Sequence, residues 1–460
     1  MSKSLSYHPN FVNNSYDPSA VLDYSCVKQD MLNSMALDAY IYGYPLVLMD
    51  ITKNIMLSSG YQQNQFSNER IFPDPQYTTI IRPNVDTLYS MAWLDLSREP
   101  ILLYVPDTHN KYYLMELLDA WSNVFASIGA RTTGTRKGVY AITGPQWNGI
   151  LPEGIIRVAA PTNTVWIIGR TQTNGPKDYP IVHAIQDNYA LIPLSYFGRL
   201  EAQYNVDHAK KPLRLNPVDQ VTSMNAATFF QTMLKAMYMN SPWIEDPAIN
   251  RKLTALDLVP SKTFDFYNLS PSVANVLELA VDVGTKLMKA EAVKKYTRNN
   301  INGWSLLFKG MGFYGVDYMQ RAIVAMTGIG ANLPQDAVYA PAFIDVNEKP
   351  LVGYNNYMIH FDNGQLPLVN AFWSITLYND RGYLVRNPMN RYAISPHLGK
   401  LNYNADNSLT IFIGKFLPRK NYITNWLPPP ENSFNLTLRM YWPKQIVLNG
   451  SWKPPAIIPI

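Results

Sequence analysis

The sequence is short of cysteine, of charge and of long apolar runs. Its single cysteine, Cys26, excludes an intramolecular disulfide in a chain of 460 residues. It sits in a polar lead-in with no nearby histidine to activate it as a nucleophile. Charged residues make up only 16 %, with 39 basic against 34 acidic and a net charge of +5. So little charge argues against disorder, and the absence of a basic arm leaves nucleic-acid binding without support. No apolar run approaches the ~18 residues of a membrane span. The opening MSKSLSYHPNFVNNSYDPSA has a lysine but not the apolar stretch of a signal peptide. A soluble chain, cytoplasmic as written, is the expectation. The six histidines (His8, His109, His183, His208, His360 and His397) include no pair at i+2, i+3 or i+4, so no metal site and no cofactor are expected. Nucleophile-elbow, P-loop and zincin motifs are also missing.

Aromatics reach 13 %, led by 31 Tyr, and 34 Pro punctuate the chain. Such a composition suits short strands between turns. Residues 1–30 read as a polar lead-in. A helical pattern over 27–57 opens the next unit, where Gly43 and Pro45 should break or kink the helix. From about 77 come TTIIRP, TLYSMAWLDL, ILLYVP, YYLMELLD, VYAITG, IIRVAA and VWIIGR, each ended by Pro, Gly or Asp. Strands this short and this closely spaced predict an antiparallel sandwich or barrel. Residues 31–200 are therefore assigned to an N-terminal β domain with a leading helix. Residues 201–335 turn helical: Met224, Phe230, Met233, Leu234 and Met237 form a stripe, and Ser270-Pro271 is a helix start signal. The strand pattern returns over 336–460, where Asp406-Asn407 precedes the alternating SLTIFI. The fold class is mostly β with an α-helical segment, α+β overall.

Few motifs carry chemistry. Gly310-Met311-Gly312-Phe313-Tyr314-Gly315 fits G-x-G-x-x-G but lies in no βαβ series, so a tight glycine-rich helix entry is the better reading. The richest polar run is Arg82-Pro83-Asn84-Val85-Asp86-Thr87-Leu88-Tyr89. There Asn84 or Asp86 caps a turn, or Asp86 serves as acid/base. Asp119 with Asn123 forms a second cluster. Arg170, at a strand end, either binds an anion or pairs with a nearby acid. Asn387 with Arg391, and Trp426 within NWLPPP, complete the candidates; a loop rich in aromatics and prolines can line a cleft.

The stretches RPNVDTLYSMAWLDL, YYLMELLDAWSNVFASIGART, TGPQWNG and IIGRTQTNG resemble the domain of unknown function 1254. Further on, AFWSITLYND, RNPMNRYAIS, LNYNADNSLTIFI, NWLPPPENSFNLTLRMYWPK and WKPPAI resemble its usual companion, the domain of unknown function 1214. Together they cover about 40–460. The resemblance implies two jelly-roll-like β-sandwich domains joined by helices, and a homo-oligomer. Its members are often exported or envelope-associated, usually with a signal peptide, and no reaction is attached to them. Two functions follow as expectations. One is a small-molecule or sugar-like ligand-binding protein with hydrolase or lyase activity. In it Asp86 would be acid/base and Arg170 the anion holder, while Asn84, Thr87, Asp119, Asn123, Arg391 and Trp426 would bind ligand. The other is a non-catalytic assembly protein that binds carbohydrate or protein partners.

Overall fold

A computed structural model describes residues 24–77, 81–199, 216–242, 244–416, 418 and 420–460. Residues 1–23 of the lead-in, residues 78–80 of TTIIRP, and His8 and His208 lie outside the described residues, whereas 24–30 already belong to the first helix.

That helix, α1 (Tyr24–Ser58), runs through both Gly43 and Pro45. The expected break is overruled by packing. A Cβ on Gly43 would stand 2.1 Å from Met233 Sδ, so the glycine is what lets a neighbouring helix touch the axis of α1. Burial then offsets the ~3 kcal/mol that an interior proline costs: every residue from Ala39 to Met49 is buried, so α1 is enclosed on all sides rather than on one stripe.

The N-terminal β region holds β1 (Ser67–Asn68), β2 (Thr87–Asp95), β3 (Ile101–Val105), β4 (Tyr113–Asp119), β5 (Val124–Gly129), β6 (Gly138–Thr143), β7 (Ile156–Ala159), β8 (Thr164–Gln172), α2 (Tyr179–Gln186) and β9 (Ala190–Pro193). They form two sheets, β1-β2-β8-β4-β5 and β7-β6-β3-β9. The space between them is filled by one cluster, to which Leu94, Met115 and Ile167 contribute from the first sheet and Leu103 and Ile142 from the second. Side chains alternate across a strand. Met91, Trp93, Trp166 and Ile168 therefore face the other way, onto Met49 and Met56 of α1.

The middle of the chain supplies α3 (Pro217–Thr222), α4 (Ala226–Met239), α5 (Pro247–Ala255), α6 (Pro271–Arg298) and α7 (Tyr318–Gly328). These pack with α1 into a single helical core. The Met stripe is part of that core: Phe230, Met233, Leu234 and Met237 are buried in it, with Met224 against its edge. Ser270 caps α6 as its sequence indicates, its hydroxyl accepting from Val273 N.

The C-terminal β region holds β10 (Asn300–Ile301), β11 (Trp304–Ser305), β12 (Ala337–Ala342), β13 (Tyr357–Phe361), β14 (Trp373–Asn379), β15 (Ala393–Ile394), β16 (Leu409–Ile413), β17 (Trp426–Leu427), β18 (Phe434–Tyr441), the short α8 (Gln445–Leu448) and β19 (Ile457–Pro459). Its sheets run β10-β11-β12-β18-β14-β15 and β17-β16-β13-β19. They enclose a core of their own, with Leu436, Leu438 and Met440 from β18 and Ile359 and Ile411 from the facing sheet. Asn407 takes φ +63° in the turn before β16, the left-handed conformation that asparagine tolerates. The fold is α+β: eight helices and four sheets among the described residues, arranged as two β regions against one helical core.

Candidate functional site

Strand register builds the site. Inward residues of β18 are Leu436, Leu438 and Met440, so Thr437 and Arg439 point outward. In β12, Val338, Ala340 and Ala342 point inward, so Tyr339 and Pro341 point outward. The N-terminal sheet repeats the pattern with Tyr89 and Met91 on β2 and Trp166 and Arg170 on β8. Tyr89 pairs across strands with Arg170, and Tyr339 with Arg439. Each guanidinium lies over its partner ring, at 5.6 Å for Arg170 on Tyr89 and 5.5 Å for Arg439 on Tyr339. The two sheets thus present like Tyr–Arg pairs on their outer faces.

Both pairs line one cavity of about 290 Å³. Its remaining walls come from α1 at Leu48, Thr52 and Met56, from α7 between Gln320 and Gly328, and from Lys295 at the end of α6. Ligand cavities run ~300–1,000 Å³ and are mostly apolar with a few placed polar groups. This one matches in size and lining, and it lies where both β regions and the helical core meet.

Its electrostatics are one-sided. Arg82, Arg170, Arg439 and Lys295 line it, and among the described residues no Asp or Glu does. Arg170 has a counter-charge just behind the wall: its Nη1 donates to Glu116 Oε2 at 3.0 Å, and Asn332 Nδ2 donates to the same oxygen at 2.9 Å. This decides one of the alternatives open for Arg170, since it is paired with a nearby acid. Complete burial pushes the Glu116 carboxyl up to about 7, against the pull of Arg170. Arg439 donates to Thr376 Oγ1 at 2.9 Å and to the Arg82 carbonyl at 2.8 Å. Burial pulls the Arg82 and Lys295 pKa values down, the mark of cations with too little compensating charge.

Of the residues singled out in the sequence, the cavity brings together Asn84 and Arg170. The Arg82–Thr87 run is a turn. Asn84 Oδ1 accepts from Asp86 N at 2.9 Å, from Thr87 N at 2.8 Å and from Thr87 Oγ1 at 3.2 Å. Asn84 Nδ2 donates to Tyr89 Oη at 2.7 Å. The turn presses onto the outer face of the C-terminal sheet: Tyr378 Oη donates to the Pro83 carbonyl at 2.8 Å, and Ser374 Oγ donates to Asp86 Oδ2 at 2.7 Å. Asp86 is fully buried behind the cavity wall, its Oδ1 3.5 Å from His397 Nε2.

The other candidates stand apart. Asp119 Oδ1 accepts from Trp121 N and Asn123 N, and Asn123 Nδ2 donates to Asp119 Oδ2, which closes the turn between β4 and β5. Burial pushes the Asp119 carboxyl up to about 6 against those hydrogen bonds. Arg391 Nη1 donates to the Ile423 and Trp426 carbonyls, and Trp426 Nε1 to the Gly414 carbonyl at 2.8 Å. Asn387 bonds the Arg391 backbone in the same loop.

Arg82 and Tyr89, the ends of the polar run singled out in the sequence, also line the wall, whereas Arg439 and Tyr339 were missed. The signal was an arginine inside an alternating apolar strand, as in NLTLRMYW. The Gly310–Gly315 run is a loop before α7, with φ +68°, +74° and +57° at Gly310, Gly312 and Gly315. Gly312 carbonyl accepts from Val124 N at 2.6 Å, and a Cβ on Gly312 would stand 2.9 Å from the Asn332 backbone. Met311 of this loop lines the cavity.

Among the described residues, no helix is long and apolar enough to cross a membrane, and no His, Cys, Asp and Glu cluster could hold a metal ion.

No curated protein matches the chain. The crystal structure of the VPA0106 protein from Vibrio parahaemolyticus aligns with TM-score 0.68 and 23 % identity, over 93 % of this chain and all of that one. It supports the overall fold. A putative uncharacterized protein from Burkholderia cenocepacia aligns at TM-score 0.43 and 12 % identity, over 95 % of this chain and 94 % of that one. Two families described as proteins of unknown function match in order, DUF1254 over residues 63–193 and DUF1214 over 336–445. The chain belongs to the tandem family in which a DUF1254 domain precedes a DUF1214 domain.

Proposed function

We propose that the protein binds a small organic molecule in the cavity between its two β regions and its helical core. The observation that carries this reading is the convergence of two cross-strand Tyr–Arg pairs, one from each β region, on a single mostly apolar cavity. A packing role alone would favour apolar side chains at those four outward positions, because burying a guanidinium costs several kcal/mol. The apolar lining from α1 and α7 favours a ligand with an apolar body over a sugar. Binding is favoured over hydrolysis or elimination because Asp86, the residue expected as acid/base, sits behind the wall, bonded to Ser374. Jelly-roll-like sandwiches and a homo-oligomer stay with this reading as expectations; light scattering checks the second.

Thermal unfolding against a chemically diverse metabolite panel tests the proposal. A ligand at 100 times its Kd adds ~2.7 kcal/mol to stability, a shift visible in the melting curve. Val324 supplies the control: it is buried and lines the cavity yet belongs to no hydrophobic core cluster. Val324→Phe should fill the space and abolish the shift. A panel with no hit, or hits of equal size in Val324→Phe, would refute the proposal.

A further inference from the structure

The charged groups of the cavity wall are all cations and hydrogen-bond donors among the described residues. Arg82, Arg170, Arg439 and Lys295 are donors only. Tyr89 Oη already accepts from Asn84 Nδ2, which leaves its own proton free to donate. Trp166 Nε1 and Arg170 Nε are buried with no hydrogen-bond partner. Of the lining acceptors, Gln320 Oε1 and Thr437 Oγ1 are buried without a partner, while others are engaged. Asn84 Oδ1 serves three donors within its own turn. Asn332 Oδ1, beside the wall, takes the Tyr339 hydroxyl at 2.7 Å. Among the described lining residues no carboxylate balances the cations. Glu116 stands behind the wall and is engaged by Arg170, and Arg82 and Lys295 have no carboxylate in ion-pair contact among the described residues. The wall also carries apolar side chains, among them Met56, Met91, Val324 and Met326.

From this asymmetry we infer that the ligand is an organic anion, a carboxylate head on an apolar body. It rests on the cavity reading of the preceding subsection and narrows it. The carboxylate accepts from Arg439, whose Nη2 also donates to the Arg82 carbonyl, and from Arg82, whose guanidinium lies over the Phe343 ring and donates Nε to Asn435 Oδ1 at 3.4 Å. Planar guanidinium groups suit two-oxygen acceptors. The body of the ligand covers the Met56, Met91 and Val324 surface. A cation or a neutral alcohol of the same shape would leave the donors unmatched, and an amine would also meet like charge.

Three probes of equal chain length separate the classes: octanoate, 1-octanol and octylamine. Calorimetric titration of the full chain should give octanoate at least tenfold tighter binding than either of the others. Two variants locate the head. Arg82→Gln should weaken octanoate at least tenfold and leave 1-octanol within threefold. Lys295→Gln, at a half-exposed position near the end of α6, folds regardless and should weaken octanoate about threefold to tenfold. If 1-octanol or octylamine binds as well as octanoate, and Val324→Phe blocks that binding, the anion inference falls and the cavity reading stands. If octanoate binds equally to the parent, Arg82→Gln and Lys295→Gln, the anion inference also falls. If none of the three binds and the metabolite panel is silent too, both fall.

Discussion

Replacing Glu116 by Gln keeps the side chain's shape and removes its titration, and the consequence depends on pH in a direction that intuition about salt bridges reverses. Glu116 is fully buried and its carboxyl is pushed up to about 7 from 4.5, because desolvation outweighs the attraction of Arg170. A carboxyl with a raised folded-state pKa binds more protons folded than unfolded between those two values. Its contribution to stability is therefore largest below about 4.5 and is lost as pH rises through about 7. A shift of this size, at ~1.4 kcal/mol per unit, corresponds to about 3 kcal/mol. Glu116→Gln lacks this slope. Relative to the parent it should be least favourable near pH 5 and gain roughly 2–3 kcal/mol by pH 8, although pH 8 is where the ion pair is mostly formed. Asp119, also pushed up by burial, titrates in both proteins and cancels. Urea titrations at pH 5, 6, 7 and 8, read by tryptophan fluorescence, give the difference. Trp93 and Trp166 stack at 4.7 Å between α1 and this same sheet, so they report on it. A relative penalty that grows with pH would show that Arg170 wins over desolvation and would refute the reasoning.

Four further outcomes are expected. Octanoate binding should tighten several-fold from pH 8 to pH 6, because protonating Glu116 releases the charge of Arg170 while an alkyl carboxylate stays ionised; calorimetry showing flat or weakening affinity contradicts this. Gly353→Ala places a Cβ 1.5 Å from the Pro430 carbonyl oxygen, a backbone atom, and should destabilise by at least ~2 kcal/mol; an unchanged melting temperature contradicts it. Leu438→Ala, fully buried in the C-terminal core, should cost ~2–5 kcal/mol in urea unfolding. Ser374→Ala removes the hydrogen bond that ties Asp86 to the C-terminal sheet and should cost ~1–3 kcal/mol; hydrogen exchange should rise around Asp86 while the distant α5 is unaffected, and a uniform rise would contradict the assignment.

Much of the architecture was legible in local pattern. TLYSMAWLD, YLMELLD, TVWIIGRTQ, LTIFI and FNLTLRMY are strands, and the Met stripe of α4 is core, because period 2 and period 3.6 survive in short windows. Strand β12 was missed: AVYAPA carries a proline and three alanines that match no strand pattern, and it is held by its pairing with β18. Helix α1 was expected to break or kink at Gly43 and Pro45; it does not break, and Met233, almost two hundred residues later, fills the notch at Gly43. The candidate site divides the same way. The Asn84 turn could be read from its own sequence, since the side chain bonds backbone two and three residues on. That Asn84 and Arg170 would share a cavity with Arg439 could not, because strand register and the meeting of two sheets set it. Asp119, Asn123, Arg391 and Trp426 read as polar clusters with the same force, but they bond each other or backbone groups away from the cavity.

The most direct test of the central claim is a crystal structure of the protein soaked with octanoate at a concentration that saturates its thermal shift. The account predicts density in the cavity between the two β regions, with the carboxylate at Arg82 and Arg439 and the chain along Met91 and Val324. An empty cavity under those conditions, with octanoate bound elsewhere on the surface, would contradict it.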